Sequence, residues 1–292
     1  MKNKMQATKN IITLTLNPVF DYTQYLPDTI NSKVNTGVRS VMTAGGKGIN
    51  VGRTLQKQGA SVVNYFLKAS SNGSWFEQIL KQEELETVST PICSDIRVNT
   101  HLVFPDGKFI KANDSGSMIC STDKTQIVND LNRVLPQYDY AILAGSFPLG
   151  IEFDDVRESL SKTKLIVDTS GKNLLQAIHS SPFMIKVNSI EWQSALNIKL
   201  TCMKDWKKNL QEISNRYPID TIIVTSEEDS SIYCLHKNIF LNFNFEKVQS
   251  KRTFGAGDYF LGSFINRFLI EEIDFKQSII DSIKLTAEFM KS

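Results

Sequence analysis

Histidine is scarce in these 292 residues, with three in all, and the four cysteines stand far apart without a CxxC among them. No histidine neighbours Cys93, Cys120, Cys202 or Cys234, so they read as reduced, mostly buried thiols of a cytoplasmic protein. Long apolar runs are missing as well. The stretch Ile11 to Leu16 ends at Asn17-Pro18, too short for a signal peptide, and nothing approaches the roughly 20 apolar residues that span a bilayer. Charge of one sign is nowhere concentrated. The 33 basic and 31 acidic residues nearly cancel, which leaves no footprint for nucleic acid and no face for a membrane surface. Repeats and low-complexity tracts are absent too. What is present is a 41% hydrophobic content, ample for a core, in a length that suits one large α/β domain with an insertion or two smaller ones.

The β-branched run Ile11 to Leu16 predicts a buried first strand with Asn17, Pro18 and Asp21 emerging at its end. Gly45-Gly46-Lys47-Gly48 then opens a helix from about Ile49 to Gln58. Ile96 to Phe104 and Lys108 to Ala112 flank Pro105-Asp106-Gly107, a hairpin signal. From Tyr140 onward, short apolar runs (Tyr140 to Leu143, Leu165 to Val167, Phe183 to Val187, Thr221 to Val224) alternate with helix-length patterns. That rhythm means βαβ units and a mostly parallel sheet with helices on both faces, where ligands gather at the carboxyl ends of strands. Asn17, Asp21, Gly145-Ser146, Asp168, Asn188 and the Gly255 loop all fall just past strand ends. The segments around 20–40 and 96–115 read as an inserted lid on a single domain covering residues 1–292.

The most telling segment is Gly255-Ala256-Gly257-Asp258, running into an apolar helical pattern. Residues without bulky side chains let several N–H groups point into one concavity at the positive end of a helix dipole, a site for phosphate or a developing anion. Asp258 at its lip is placed to take a proton from an attacking hydroxyl. By itself, an acid there also serves simply to complement the dipole.

Other constellations each carry two readings. Gly45-Gly46-Lys47-Gly48-Ile49-Asn50 lets backbone approach a ligand and offers the Asn50 amide to sugar hydroxyls, or it is a tight loop with a solvated lysine; no Ser/Thr follows to make a P-loop. Asn188 followed by Glu191 suits a magnesium-bound phosphate, or is a capping box. Lys33, Arg97 and Ser146 would together hold a sugar phosphate, while singly each is more often solvated. Asp168 reads as a strand end with a secondary role at most.

In this order the motifs resemble the ribokinase/PfkB family of sugar kinases, nearest its branch of 1-phosphofructokinases and tagatose-6-phosphate kinases. The resemblance runs from Thr13 to about Phe289. Its carriers are Thr15-Leu16-Asn17-Pro18 with Asp21, Ala44 to Val51, Ala144 to Gly150, Val167 to Gly171, Lys186 to Glu191 and Gly255 to Asp258. It implies a three-layer α/β/α sandwich with a small β lid, often used for dimerisation, hence a homodimer through the lid. It implies ATP and Mg²⁺ as cofactors and a small sugar phosphate as substrate, most simply fructose 1-phosphate converted to the 1,6-bisphosphate. By the same resemblance Asp258 is the base, and Gly255, Ala256 and Gly257 form the anion hole. Asp21, Gly45, Gly46 and Asn50 meet sugar hydroxyls, and Lys47, Arg97, Lys33 and Ser146 meet phosphate. Lys186, Asn188, Glu191 and Thr225 lie toward the nucleotide, with Glu191 toward the metal. Ser226-Glu227-Glu228-Asp229-Ser230 departs from the pattern, with three acids and no glycine where relatives usually carry glycine. A tagatose-6-phosphate kinase, or a sugar-phosphate-binding protein with weak or no turnover, are the alternatives.

Overall fold

The computed structural model of the chain describes residues 9–27, 34, 38–248 and 255–292. The apolar run at the start forms β1 (Ile11–Thr15), buried along its whole length as a strand covered on both faces must be. It is followed by β2 (Val19–Tyr25), β3 (Arg39–Gly45), α1 (Lys47–Lys57), β4 (Val62–Ala69), α2 (Gly73–Gln82) and β5 (Thr87–Ile92). Next come β6 (Arg97–Val103) and β7 (Phe109–Ala112), the hairpin announced by Pro105-Asp106-Gly107, with Gly107 at φ 83°. The alternating stretch holds α3 (Ser121–Val134), β8 (Tyr140–Ala144), α4 (Phe153–Leu160), β9 (Lys164–Asp168), α5 (Gly171–His179) and β10 (Met184–Asn188). It continues through α6 (Ser189–Leu196), α7 (Met203–Arg216) and β11 (Thr221–Ser226) into an antiparallel meander of β12 (Ser231–His236) and β13 (Ile239–Asn244). Two helices close the chain, α8 (Ala256–Ile265) and α9 (Phe275–Lys291).

The large sheet has the order β13-β12-β11-β10-β9-β8-β1-β4-β5, parallel from β11 through β5. From β1 the chain winds one way to β4 and β5, then returns and winds the other way through β8 to β11. The strand order therefore reverses between β1 and β8, and the crevice above their carboxyl ends is where an open α/β sheet takes its ligand. Alternate side chains along the strands feed two cores. Ile12, Leu14, Leu143 and Val167 pack against α3 to α7, while Ile11, Ile142 and Ile166 pack against α1, α8 and α9. A four-stranded sheet, β3-β2-β6-β7, sits on a third cluster built from Phe20, Ala44, Phe66, Phe76 and Ile96. The three-layer sandwich and the second sheet agree with the architecture expected from the sequence.

Two local details differ from the sequence reading. The first helix starts at Lys47 rather than Ile49, because Thr15 does the capping: its Oγ1 accepts the Ile49 N–H at 3.0 Å. Gly48 makes that approach possible, since a Cβ there would stand 2.8 Å from the Leu14 carbonyl oxygen. The cysteines are free as expected, but only Cys234 is buried; Cys93, Cys120 and Cys202 are exposed. Cys120 and Cys202 occupy helix N-cap positions, which lie at the surface where the chain turns.

Helices α1 and α8 approach closely at Gly262, where a Cβ would lie 2.6 Å from Thr54 Cβ and 3.1 Å from the Val51 carbonyl oxygen. Gly262→Ala should therefore force the helices apart and cost about 1–3 kcal/mol. Thermal denaturation checks this, with an unchanged melting temperature as the contrary result.

Candidate active site

The residues at the carboxyl ends of β1, β8, β9 and β10 converge with the N-termini of α1 and α8. Asp258 lies in the first turn of α8 behind Gly255, which caps the helix at φ 91°, a conformation that favours glycine. That turn leaves its first N–H groups without intrahelical partners. Gly257 is exposed while Asp258 is 8% exposed, so the amide rim faces outward above a buried carboxylate. Asn50, one turn into α1, donates its Nδ2 to Asp258 Oδ2 at 2.8 Å.

Asp168, the last residue of β9, is the hub of the charged cluster. Fully buried, it receives the Lys47 ammonium at 2.8 Å and the Lys186 ammonium at 3.1 Å. This corrects the secondary role that the sequence reading gave it. Burial alone would raise its carboxyl, but the two ammoniums reverse that and hold it below the usual carboxylate range. Lys47 also reaches Glu191 at 3.3 Å. Burial works against the Lys47 charge, yet Asp168, Glu191 and Asp258 together hold its ammonium well above the ordinary lysine range. For Asp258 burial dominates: it pushes the carboxyl up to about 6, with the Asp168 charge adding to the rise. The Asn50 hydrogen bond and the ammoniums of Lys47 and Lys186 act in the opposite sense. Lys186 lies beneath the glycine turn, with Nζ 3.1 Å from where a Cβ of Gly257 would be.

Asn188 and Glu191 form the capping box in full. Asn188 Oδ1 accepts the Glu191 N–H at 2.8 Å, and Glu191 Oε2 accepts the Asn188 N–H at 3.0 Å. Thr225, paired with Asn188 across β10 and β11, donates its hydroxyl to the Val187 carbonyl at 3.4 Å. Of the acids in the loop after β11, Asp229 is tied to the Tyr233 hydroxyl, while Glu227 and Glu228 are exposed.

The second half of the site bridges β1, β8 and the small sheet. Asn17 Nδ2 donates to Ser146 Oγ at 3.1 Å, across the switch point itself. Arg97 donates to the Asn17 carbonyl at 3.3 Å and to the Asp114 carbonyl at 2.8 Å. Asp21 accepts from Asn99 Nδ2 at 2.9 Å and stands where a Cβ of Gly45 would be 2.7 Å away, which explains that glycine. Gly46 at φ 130° leads from this strand into α1. Lys47 was expected beside Arg97 and Ser146; its ammonium instead lies among Asp168 and Glu191. Lys33, with Arg252 to Phe254, is outside the described residues.

Arg53 was not singled out from the sequence, and Asn99 was noted only within Arg97-Val98-Asn99, a stretch nearer the 1-phosphofructokinases. A strand residue in a lid and an arginine on a helix carry no local signal; Asp168 did, since an acid ending the apolar run Leu165 to Val167 needs a buried partner.

A switch-point crevice that sets a buried carboxylate beneath the open amides of a helix belongs to the class of α/β enzymes that bind and transfer anionic groups. Sequence comparison narrows the class. The profile described as pfkB family carbohydrate kinase matches residues 14–289, and the chain belongs to that family. It is 29% identical over 257 residues to the 1-phosphofructokinase of Vibrio cholerae, covering 86% of this chain and 80% of that protein. It is 26% identical over 273 residues to the tagatose-6-phosphate kinase of Staphylococcus epidermidis, covering 90% and 87%. The crystal structure of Escherichia coli phosphofructokinase-2 in complex with fructose-6-phosphate superposes with a TM-score of 0.84, at 22% identity over 97% of this chain and 94% of that one, a likeness of fold. Among the described residues no helix is long and apolar enough to cross a membrane.

Proposed function

We propose that this kinase transfers the γ-phosphoryl group of ATP to a hydroxyl of a ketohexose phosphate, with fructose 1-phosphate as substrate and fructose 1,6-bisphosphate as product. The observation that carries this reading is Asp258. It is a buried carboxylate with a pKa raised to about 6, ionised at neutral pH yet basic enough to take a proton, at the rim of helix amides that have no intrahelical partners. It accepts the proton of the C6 hydroxyl as that oxygen attacks the phosphorus in line. The amides of residues 255–258 and the Lys186 ammonium below them receive the charge of the transferred group. Asp21, Asn50 and the turn at Gly45 and Gly46 orient the sugar, and Ser146 and Arg97 hold its phosphate. Arg97 Nε is buried without a hydrogen-bond partner among the described residues, a donor suited to an anion. The small sheet acts as a lid. Its exposed Val98, Phe109 and Ile110 suit a second copy of the chain, giving a homodimer.

Among the described residues no group of three His, Cys, Asp or Glu side chains forms a metal cage. A hard cation that keeps its waters and takes phosphate oxygens needs no such cage. The residues fit that mode: Glu191, a partly exposed carboxylate, would hold the ion through its waters, with Asn188, Lys186 and Thr225 toward the nucleotide. Bound with ATP, Mg²⁺ neutralises charge on the phosphate oxygens. Asp168 is fully buried with both oxygens held by lysines at 2.8 and 3.1 Å, whereas Glu191 is partly exposed and its Oε1 is held by Lys47 more loosely, at 3.3 Å.

Product analysis tests the reading. Incubation with Mg²⁺-ATP and fructose 1-phosphate, tagatose 6-phosphate, fructose 6-phosphate or fructose should yield a bisphosphate, identified by mass, from fructose 1-phosphate foremost. Monophosphate from fructose alone would contradict it, and a bisphosphate only from tagatose 6-phosphate would move the assignment to that sugar. The pH profile adds a second check. Because the base works ionised and its pKa lies near 6, kcat/KM should rise with pH through about 6 and level off above it. A profile flat from pH 5 to 8 would contradict that role.

A further inference from the structure

We infer that Arg53 is a positioning residue for Asp258, acting through the side-chain amide of Asn50. The inference rests on the reading of Asp258 as the base and adds to it a residue that no local motif marks. A carboxamide has two unlike ends: its NH₂ stabilises a carboxylate, and its carbonyl oxygen repels one. Which end faces Asp258 decides whether the base is favoured as an anion. In the structure Nδ2 faces Asp258 at 2.8 Å, while Oδ1 accepts from Arg53 Nη1 at 2.9 Å. Turned the other way, the amide would set its oxygen against a carboxylate and its NH₂ against a cation. Arg53 therefore fixes the orientation of Asn50 from behind, one helical turn further along the same face of α1.

The guanidinium is itself held at every edge. Its Nη2 donates to the Ala44 carbonyl, beside the Gly45-Gly46 turn, and to Glu83 Oε1 at 3.1 Å, and Nε donates to Glu83 Oε2 at 2.5 Å. Glu83 is the C-cap of α2, so a chain of hydrogen bonds runs from a partly exposed acid to the buried base. Only a planar fork makes these contacts at once, which a lysine cannot do. Among the described residues, the charged groups facing Asp258 are Lys47 on α1, Asp168 on β9 and Lys186 on β10; α9 faces the same turn with Phe289, stacked on Tyr259. The Asn50 amide oxygen takes its hydrogen bond from Arg53. The bland alternative is that Arg53 only ties α1 to α2.

The pH dependence of kcat separates the two, because a purely structural tie lowers the folded fraction without moving the titration of the base. In Arg53→Met the acid limb should move up by about half to one pH unit, so that turnover falls by up to about twofold near pH 7 and by about three- to tenfold near pH 5, as for one weakened charge-assisted hydrogen bond. Asn50→Ala should move the limb similarly, and the double variant no further than Asn50→Ala alone, since the two act in series. Glu83→Gln, a change at a partly exposed side chain, should move the limb the same way by less, and it serves if Arg53→Met does not fold. An acid limb at the wild-type position in the folded variants, with Asp258→Asn inactive, overturns the inference and leaves the base in place. Wild-type turnover in Asp258→Asn overturns the base, and the inference with it.

Discussion

Asp258→Asn is expected to lower kcat by about 10²–10⁴, the usual contribution of a positioned general base, with little change in sugar binding. The same change should stabilise the fold. Asp258 is charged at neutral pH in a place where burial and the Asp168 carboxylate both oppose its charge, and its pKa is accordingly raised to about 6 from 3.8. A carboxyl whose folded pKa exceeds its unfolded value binds its proton more tightly in the native state. Its ionisation therefore costs stability above pH 6, and that cost fades as the pH falls toward 4. The upper limit is about 3 kcal/mol, at 1.36 kcal/mol per unit. Asparagine keeps the shape and an acceptor for the Asn50 amide without the charge. The variant should melt several degrees higher than the wild type at pH 8, with the gap narrowing toward pH 4.5. Such opposition between activity and stability is expected where a catalytic group is held in an unfavourable environment. Melting curves across pH, run beside turnover, check both halves; a variant that is inactive because it melts lower would point to a structural aspartate.

Asp168→Asn should have the largest effect on stability. The wild-type carboxylate offsets two ammoniums, of which Lys47 is partly exposed and able to turn to water, whereas the Lys186 side chain is 5% exposed. Removing the anion leaves Lys186 charged, buried and unpaired, a loss of about 3–5 kcal/mol, or about 10 °C in melting temperature. Adding Lys186→Met should recover much of that loss, because the stranded charge goes with it. The depressed pKa of Asp168 has the opposite sign from Asp258: its stabilisation is present above the unfolded carboxyl pKa and is lost as pH falls through the lower folded value. In whatever Asp168→Asn protein folds, Asp258 loses a repelling neighbour, so the acid limb of kcat/KM should move below 6. Undiminished stability, or an acid limb shifted upward, would contradict this account of the cluster.

Much of this arrangement could be read from residue order. The rhythm of apolar runs announced a parallel sheet, and the residues just past its strand ends come together because parallel strands end at one edge. Gly255-Ala256-Gly257-Asp258 and the Asn188–Glu191 capping box were legible because each is local, decided within four residues. Asp168 was underrated because its meaning lies in Lys47 and Lys186, 121 and 18 residues away. Lys47 was placed with the sugar phosphate by the resemblance, and by its own sequence reads as a solvated lysine beside glycines until the fold brings two carboxylates to it. Arg53 is harder still, since its contacts come from one turn away, from the end of β3 and from the end of α2.

The most direct test is steady-state ADP release by the wild-type chain and Asp258→Asn, with Mg²⁺-ATP and either fructose 1-phosphate or fructose. The structure and its chemistry predict turnover by the wild type with fructose 1-phosphate, little with fructose, and a loss of at least about a hundredfold in the variant. Equal turnover of the two sugars, or undiminished turnover in Asp258→Asn, would contradict the claim that this crevice phosphorylates a sugar phosphate through that carboxylate.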